Sequence, residues 1–248
     1  QRAAGTAAYW VGLPQRLAVP LPAAREPSLL PAGQAIAVGP LIAAGACLGI
    51  PALTAYQCVY DGGPVTGQLV LVTGGAGAVG NYAVQFARLG GAMVIATASS
   101  DEKAERARAA GADLVIDYRR QDVAAEIERY SGGAGVDRIV DVAFAANLET
   151  SLRVLKPGGT LATYASDIDP EPVLPFYRFM YRALRVHFEL VFLMPAALRD
   201  QALADITRWL AEDVLVHPPV RLLPLSEIVA AHEAVEQGSD ARLLLVPE

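Results

Sequence analysis

LVLVTGGAGAVGNYAVQFARLGGAMVIATASS, residues 69–100, decides how the chain is read. Its opening run LVLVT (69–73) is apolar and of strand length, and Gly75, Gly77 and Gly80 follow it in a Gly-x-Gly-x-x-Gly pattern. Residues 79–89 carry a helical pattern, and 93–97 make a second strand. A glycine turn that leaves a strand and opens a helix, with another strand soon after, suits a bound pyrophosphate. Gly75 permits the tight turn, Gly77 lets backbone amides approach the phosphates, and Gly80 lets helix and strand pack closely. The helix N-terminus adds a partial charge of about +0.5 facing the anion.

Outward from this stretch the alternation continues. Strands are expected at 114–117, 137–141, 159–164 and 186–192, with helices at 101–110, 122–130, 147–155 and 197–211. Ser99 followed by Glu102 reads as a capping box for the helix at 101–110. Lys156-Pro157-Gly158-Gly159 stops the helix before it and turns the chain into the next strand. Six strands in this order predict an α/β fold with a doubly wound parallel-sheet (Rossmann) domain over residues 45–212. The flanks differ. Residues 1–44 are rich in Pro and Gly with short apolar pieces, and resemble the last strands of a β-rich body. The tail reads strand (220–225), helix (226–236), strand (241–246), so residues 1–44 and 213–248 are expected to share a second domain.

Composition excludes much. The 248 residues are 53% apolar and 19% charged, which rules out intrinsic disorder, and 20 basic against 26 acidic residues, the acidic ones scattered along the chain, give a net charge of −6, so no nucleic-acid partner is expected. Residues 27–60 carry no charge, but Pro31, Pro40 and Pro51 with interspersed glycines interrupt them too often for a membrane span, so they read as buried strand and loop. The N-terminus shows no basic start followed by an apolar block, which points to a soluble, cytoplasmic protein. Cys47 and Cys58 are too few for a disulfide framework or a four-thiolate zinc site. His187, His217 and His232 lie far apart without metal-ligand spacing, and no metal is expected. The only lysines, Lys103 and Lys156, follow Glu102 and Leu155, which excludes a Gly-Lys-Ser/Thr phosphate loop. Ser99 and Leu152 stand four residues before them, so a Tyr-x-x-x-Lys pair is missing too.

The end of the second strand bears on which nucleotide is held. An NAD-selective site places a carboxylate there for the ribose 2′-hydroxyl; this chain has Ala96-Thr97-Ala98-Ser99-Ser100. Ser99, Ser100 and Lys103, with Tyr118 beyond the third strand, can supply hydroxyls and one cation to a 2′-phosphate. NADP is therefore favoured over NAD.

GTAAYW (5–10), GIPALTAY (49–56), VTGGAGAVGNYAVQFARLGGA (72–92), ATASSDEKAERARAAGAD (96–113), VIDY (115–118) and LKPGGTLATYAS (155–166) together resemble the zinc-free, zeta-crystallin-like quinone oxidoreductases of the medium-chain dehydrogenase/reductase superfamily. The resemblance implies a GroES-like catalytic domain, of which this chain holds part, packed on the cofactor domain, and it implies NADPH. By matching positions, Thr54 would touch the nicotinamide end, Ala76 to Val79 (with Gly77 and Ala78 between) the pyrophosphate, and Lys103 and Tyr118 the 2′-phosphate. Ala143 and Phe144 would meet the ribose, and Tyr164 and Phe192 would line the cleft near the nicotinamide. Ile50 stands where zinc alcohol dehydrogenases place a cysteine ligand, so direct hydride transfer to a quinone or conjugated carbonyl is expected, with no residue singled out as a catalytic acid. An enoyl or alkenal reductase of the same fold and a non-catalytic NADPH-binding protein are the alternatives. The run VHFELVFL (186–193), apolar on both faces and expected at a sheet edge, suggests a homodimer.

Overall fold

A computed structural model of the chain describes residues 39–239 and 241–246. The β-rich remnant expected up to residue 38 lies outside the described residues. The first element is α1 (Gly39–Tyr60), followed by β1 (Leu69–Val72), α2 (Ala78–Leu89), β2 (Met93–Ala98), α3 (Asp101–Ala109), β3 (Leu114–Asp117), α4 (Val123–Tyr130) and β4 (Val136–Asp141). Then come α5 (Phe144–Val154), β5 (Leu155–Thr163), α6 (Phe176–Met180), β6 (Arg185–Phe188), α7 (Ala196–Ala211), β7 (Val220–Pro224), α8 (Ile228–Glu236) and β8 (Arg242–Val246). The described residues form two compact units, one running from Ala52 to Ala202, the other combining residues up to Pro51 with those from Leu203 onward.

In the larger unit six strands make one sheet in the order β3-β2-β1-β4-β5-β6, every pair parallel, with Leu71 opposite both Ile95 and Ile139. This is the expected doubly wound sheet. The order reverses between β1 and β4, and there the crevice for a ligand opens at the carboxyl ends of the strands. All four residues of β1 are buried, because helices cover both faces. One face packs Leu71, Ile95, Ile116 and Ile139 against Ile127 of α4 and Leu148 and Leu152 of α5. On α1 and α2, Tyr56 meets the Phe86 ring edge-on at 6.0 Å, and Tyr60 donates to the Phe86 carbonyl at 2.7 Å. Each fully buried Leu or Ile is worth about 1.5–3 kcal/mol, whereas a half-exposed pair such as Arg88 with Asp113 contributes about 1 kcal/mol at most. Apolar burial, not the surface ion pairs, holds the sheet and its helices together.

Four expectations need correction. Residues 39–60, read as strand and loop, form a helix kinked at Gly49, whose φ and ψ are −32° and −110°. The break places Pro51 in the first turn of the following helical segment, where its missing N–H costs nothing. Residues 51–59 are buried throughout, so the uncharged run marks a helix enclosed on all sides. Ser100, not Ser99, caps α3: its hydroxyl accepts from the Lys103 amide at 3.3 Å. β5 begins at Leu155, with no turn between it and α5, and a register irregularity near Val136 and Arg138 of β4 accommodates Pro157. β6 ends at Phe188, because its partner strand ends at Thr163 and the last ladder bond is Glu189 N–H to the Thr163 carbonyl at 2.8 Å. Residues 191–193 then form a 3-10 turn.

In the smaller unit β7 and β8 pair in parallel, Leu222 opposite Leu244, with α8 between them in sequence. Among the described residues no helix is long and apolar enough to cross a membrane.

Candidate functional site

The chain leaves β1 through Thr73 and turns at Gly74, whose φ is +65°. Thr97, at the end of β2, holds the turn twice: its hydroxyl accepts from the Gly74 amide at 3.0 Å and its carbonyl from the Gly75 amide at 2.9 Å. Gly77 closes the turn by donating to the Gly74 carbonyl at 2.8 Å, and then caps α2 without any side-chain bond. The first internal bond of α2 runs from the Asn81 amide to the Gly77 carbonyl. The amides of Ala78, Val79 and Gly80 therefore have no acceptor within the helix and are available to an anion. The glycines serve space as well as φ. A Cβ on Gly80 would sit 2.1 Å from the Gly74 carbonyl oxygen, and one on Gly75 would sit 2.6 Å from the Ala96 Cβ. Gly77 and Ala78 are exposed at the mouth of the turn, while Gly75 and Gly80 are buried against strand and helix. A Gly-x-Gly-x-x-Gly turn with this clearance fits a diphosphate.

Beneath the crevice lies a buried polar network that sequence reasoning did not single out. Asp141, fully buried at the end of β4, accepts from the Thr73 hydroxyl at 2.9 Å and the Asn147 amide at 2.7 Å. Thr73 in turn accepts from the Val142 amide at 2.9 Å, and Thr163 lies 3.4 Å from the Asp141 carboxyl. Burial pushes the Asp141 carboxyl above its usual range, against the bonds from Asn147 and Thr73 that pull it down. The network ties together the ends of β1, β4 and β5, the strands on either side of the topological reversal.

The residues expected around a 2′-phosphate gather at the far side of the turn. Ser99 and Ser100 follow β2, Lys103 lies in the first turn of α3, and the Tyr118 amide donates to the Ala98 carbonyl at 3.2 Å. The Tyr118 ring is half exposed, whereas the Ser100 hydroxyl is engaged as the cap of α3. No carboxylate follows β2 until Asp101, which pairs with Arg120 at 3.1 Å.

On the other side of the reversal, Phe144 and Tyr164 both line a cavity of about 360 Å³ at the ends of β5 and β6, together with Thr163, Phe188, Glu189 and Leu190. Ala143 is the N-cap of α5. Phe144 itself is core: it is 3% exposed, its ring meets Phe188 edge-on at 5.4 Å, and its amide donates to the Ala165 carbonyl. The Tyr164 phenol is held well above its ordinary pKa by burial, then by the Cys58 thiol and Asp141, and so stays protonated. Glu189 is raised to about 7, first by burial and then by the neighbouring Asp61 carboxylate. Phe192 lies on the 3-10 turn at 41% exposure and does not line this cavity. Thr54 is buried in α1.

A glycine turn at the topological reversal of an all-parallel, doubly wound sheet defines a Rossmann-type α/β protein. Residues 78–207 match the zinc-binding dehydrogenase family, more than half of the chain, and the chain belongs to that family, within the medium-chain dehydrogenase/reductase superfamily. It is 42% identical over 98 residues to a 2-haloacrylate reductase from Burkholderia sp, covering 40% of this chain and 29% of the relative. It is 29% identical over 211 residues to a probable quinone oxidoreductase of Schizosaccharomyces pombe, covering 84% of this chain and 63% of the relative. The solved structure of a mycobacterial protein complexed with NADPH superimposes with a TM-score of 0.73 at 27% identity, covering 82% of this chain and 65% of that one. In each case the match spans less than two thirds of the relative's own length.

The family name implies zinc, and the cysteines do not fit such an ion. Neither Cys47 nor Cys58 belongs to a group of three metal-ligating side chains among the described residues. Ile50 offers no donor.

Proposed function

We propose that this chain is the cofactor-binding portion of an NADPH-dependent oxidoreductase that transfers hydride to a quinone or conjugated carbonyl acceptor without zinc. The observation that carries the reading is the glycine cradle beside a β2 end that offers hydroxyls and Lys103 and no carboxylate. In this reading Ala76, Gly77, Ala78 and Val79 meet the diphosphate with main-chain amides. Ser99, Lys103 and Tyr118 meet the 2′-phosphate, and Ala143 the ribose. Bound there, NADPH supplies the hydride.

The chain's own contribution is positioning and exclusion of water. Thr97 holds the turn rigid, the Asp141 network fixes the strand ends against one another, and Phe144, Tyr164 and Leu190 give apolar walls to a cavity for a flat, conjugated acceptor. An acceptor whose π-system spreads the incoming negative charge needs no Lewis acid. Thr54 meets the nicotinamide end in this reading, whereas Phe192, outside the cavity that Tyr164 lines, has no part in it. Pairing through the edge strand β6 in a homodimer, with the second domain built from residues 1–44 and 213–248 in a cytoplasmic protein, goes with it.

A second reading, reduction of an activated carbon–carbon double bond, is favoured by the likeness to 2-haloacrylate reductase and to the prostaglandin reductase 1 of Rattus norvegicus, 31% identical over 180 residues. The purified chain is titrated with NADPH and NADH by nucleotide fluorescence, and NADPH oxidation is then followed with a panel of quinones and of enals and haloacrylates. We expect saturable binding with NADPH favoured and turnover on quinones. Turnover on enals alone shifts the assignment to the second reading. Binding without turnover on any acceptor leaves a nucleotide-binding protein, and no saturation with either nucleotide defeats the proposal.

A further inference from the structure

Three neighbouring buried side chains at the junction of α1, β4 and β6 each keep a polar atom without a hydrogen-bond partner: Glu189 Oε1, Gln57 Oε1 and Arg138 Nε. An unsatisfied buried polar atom costs about 1–3 kcal/mol; of the three, Glu189 Oε1 is the acceptor that faces other ligating side chains. Glu189 is 8% exposed and directs its free oxygen at His187, whose Nδ1 lies 3.7 Å from Glu189 Oε1 and 3.2 Å from Asp61 Oδ2. The ligand atoms of Asp61, His187 and Glu189 all lie within 4.8 Å of one another, the only such group among the described residues. Metal bonds of about 2.0–2.2 Å to imidazole and carboxylate place neighbouring corners of a tetrahedron roughly 3.3–3.6 Å apart. The two spacings from His187, 3.2 and 3.7 Å, lie close to that range, and the two carboxylates are within 4.8 Å of each other.

We infer that Asp61, His187 and Glu189 form a binding site for a first-row divalent cation, with Zn²⁺ as its type ligand. The donors are one imidazole nitrogen and two carboxylate oxygens, a set that suits such ions without sulfur. Asp61 and His187 keep part of their side chains in solvent, which gives an ion a way in and a water a fourth corner. Local structure aims the ligands. His187 and Glu189 alternate onto one face as the chain leaves β6. Gly62, at φ +97°, turns the chain tightly after α1, and a Cβ there would meet Arg138 Nη2 at 3.1 Å and His187 Cε1 at 3.5 Å. Arg138, anchored by its bond to the Cys58 carbonyl at 3.0 Å, stands beside the two carboxylates and offsets part of their charge. An ion held here clips the turn after α1 to the edge strand, joining residues 126 positions apart, and stabilises the native chain by mass action. His187 shows no ligand spacing in the sequence because its partners come from a distant turn.

The chelator-stripped chain is titrated with ZnCl₂ by calorimetry, and its thermal midpoint is followed with and without one equivalent of the ion. We expect one Zn²⁺ per chain and a raised midpoint. Affinity should fall by more than about tenfold in His187→Gln and Asp61→Asn, each checked for native far-UV dichroism. His232→Gln should bind as the wild type does. Co²⁺ in the wild-type chain should give visible d–d bands without a thiolate charge-transfer band, a readout independent of the variants. No stoichiometric binding, unchanged affinity in His187→Gln, or a thiolate band from Cys58 overturns the assignment.

Discussion

Gly80 shows how little room a single position leaves. Its α-carbon faces the Gly74 carbonyl so closely that any side chain must displace the turn. We expect Gly80→Ala to lower the unfolding free energy by about 1–3 kcal/mol, as overpacking does, and to weaken NADPH binding by more than tenfold, since about 1.4 kcal/mol of misplacement suffices for that. Urea unfolding and nucleotide fluorescence measure the two effects separately. Thr97 belongs to the same site although nothing in its sequence setting marks it: a threonine at the end of an apolar strand is ordinary, and only the approach of Gly74 makes its hydroxyl a turn anchor. Ser99 and Ser100 illustrate a one-residue ambiguity of the same kind, resolved in favour of Ser100, whose extended backbone (φ −158°, ψ 162°) sets its hydroxyl against the Lys103 amide.

Between elements, the carboxyl ends of β1, β4 and β5 are joined through Asp141. Replacing it by alanine removes the acceptor for the partly buried Asn147 amide and the buried Thr73 hydroxyl. We expect Asp141→Ala to cost about 3 kcal/mol, because buried donors left unpaired cost about 1–3 kcal/mol each. The loss should appear as a lower urea midpoint with an unchanged m-value. The helix α1 carries the opposite lesson. Its apolar residues 51–59 admit either a buried strand or an enclosed helix when read alone, since a short uncharged run has no polar face to reveal its period. Packing of Tyr56 and Tyr60 on Phe86 selects the helix, and the break at Gly49 removes the objection raised by Pro51.

For the molecule as a whole, stability depends on groups that burial keeps neutral. His217, partly buried before β7, has its pKa lowered by desolvation, with Asp213 pulling the other way. In the unfolded chain the imidazole takes up a proton near its ordinary 6.5. The folded state resists that proton, so the contribution of His217 is present above pH 6.5 and is lost as the pH falls through the lower folded value. We expect the stability difference between wild type and His217→Asn to shrink between pH 7 and pH 5, measured by urea unfolding at each pH. The strands from residue 69 onward, the glycine turn and the parallel pairing were legible in the residues themselves, because strand length, helical period and Gly-x-Gly-x-x-Gly spacing are local properties of the chain. The enclosed helix, the anchoring by Thr97, the Asp141 network and the meeting of Asp61 with His187 and Glu189 were not. Each depends on which distant backbone the fold brings within hydrogen-bonding distance, and a linear order of residues holds no record of that distance.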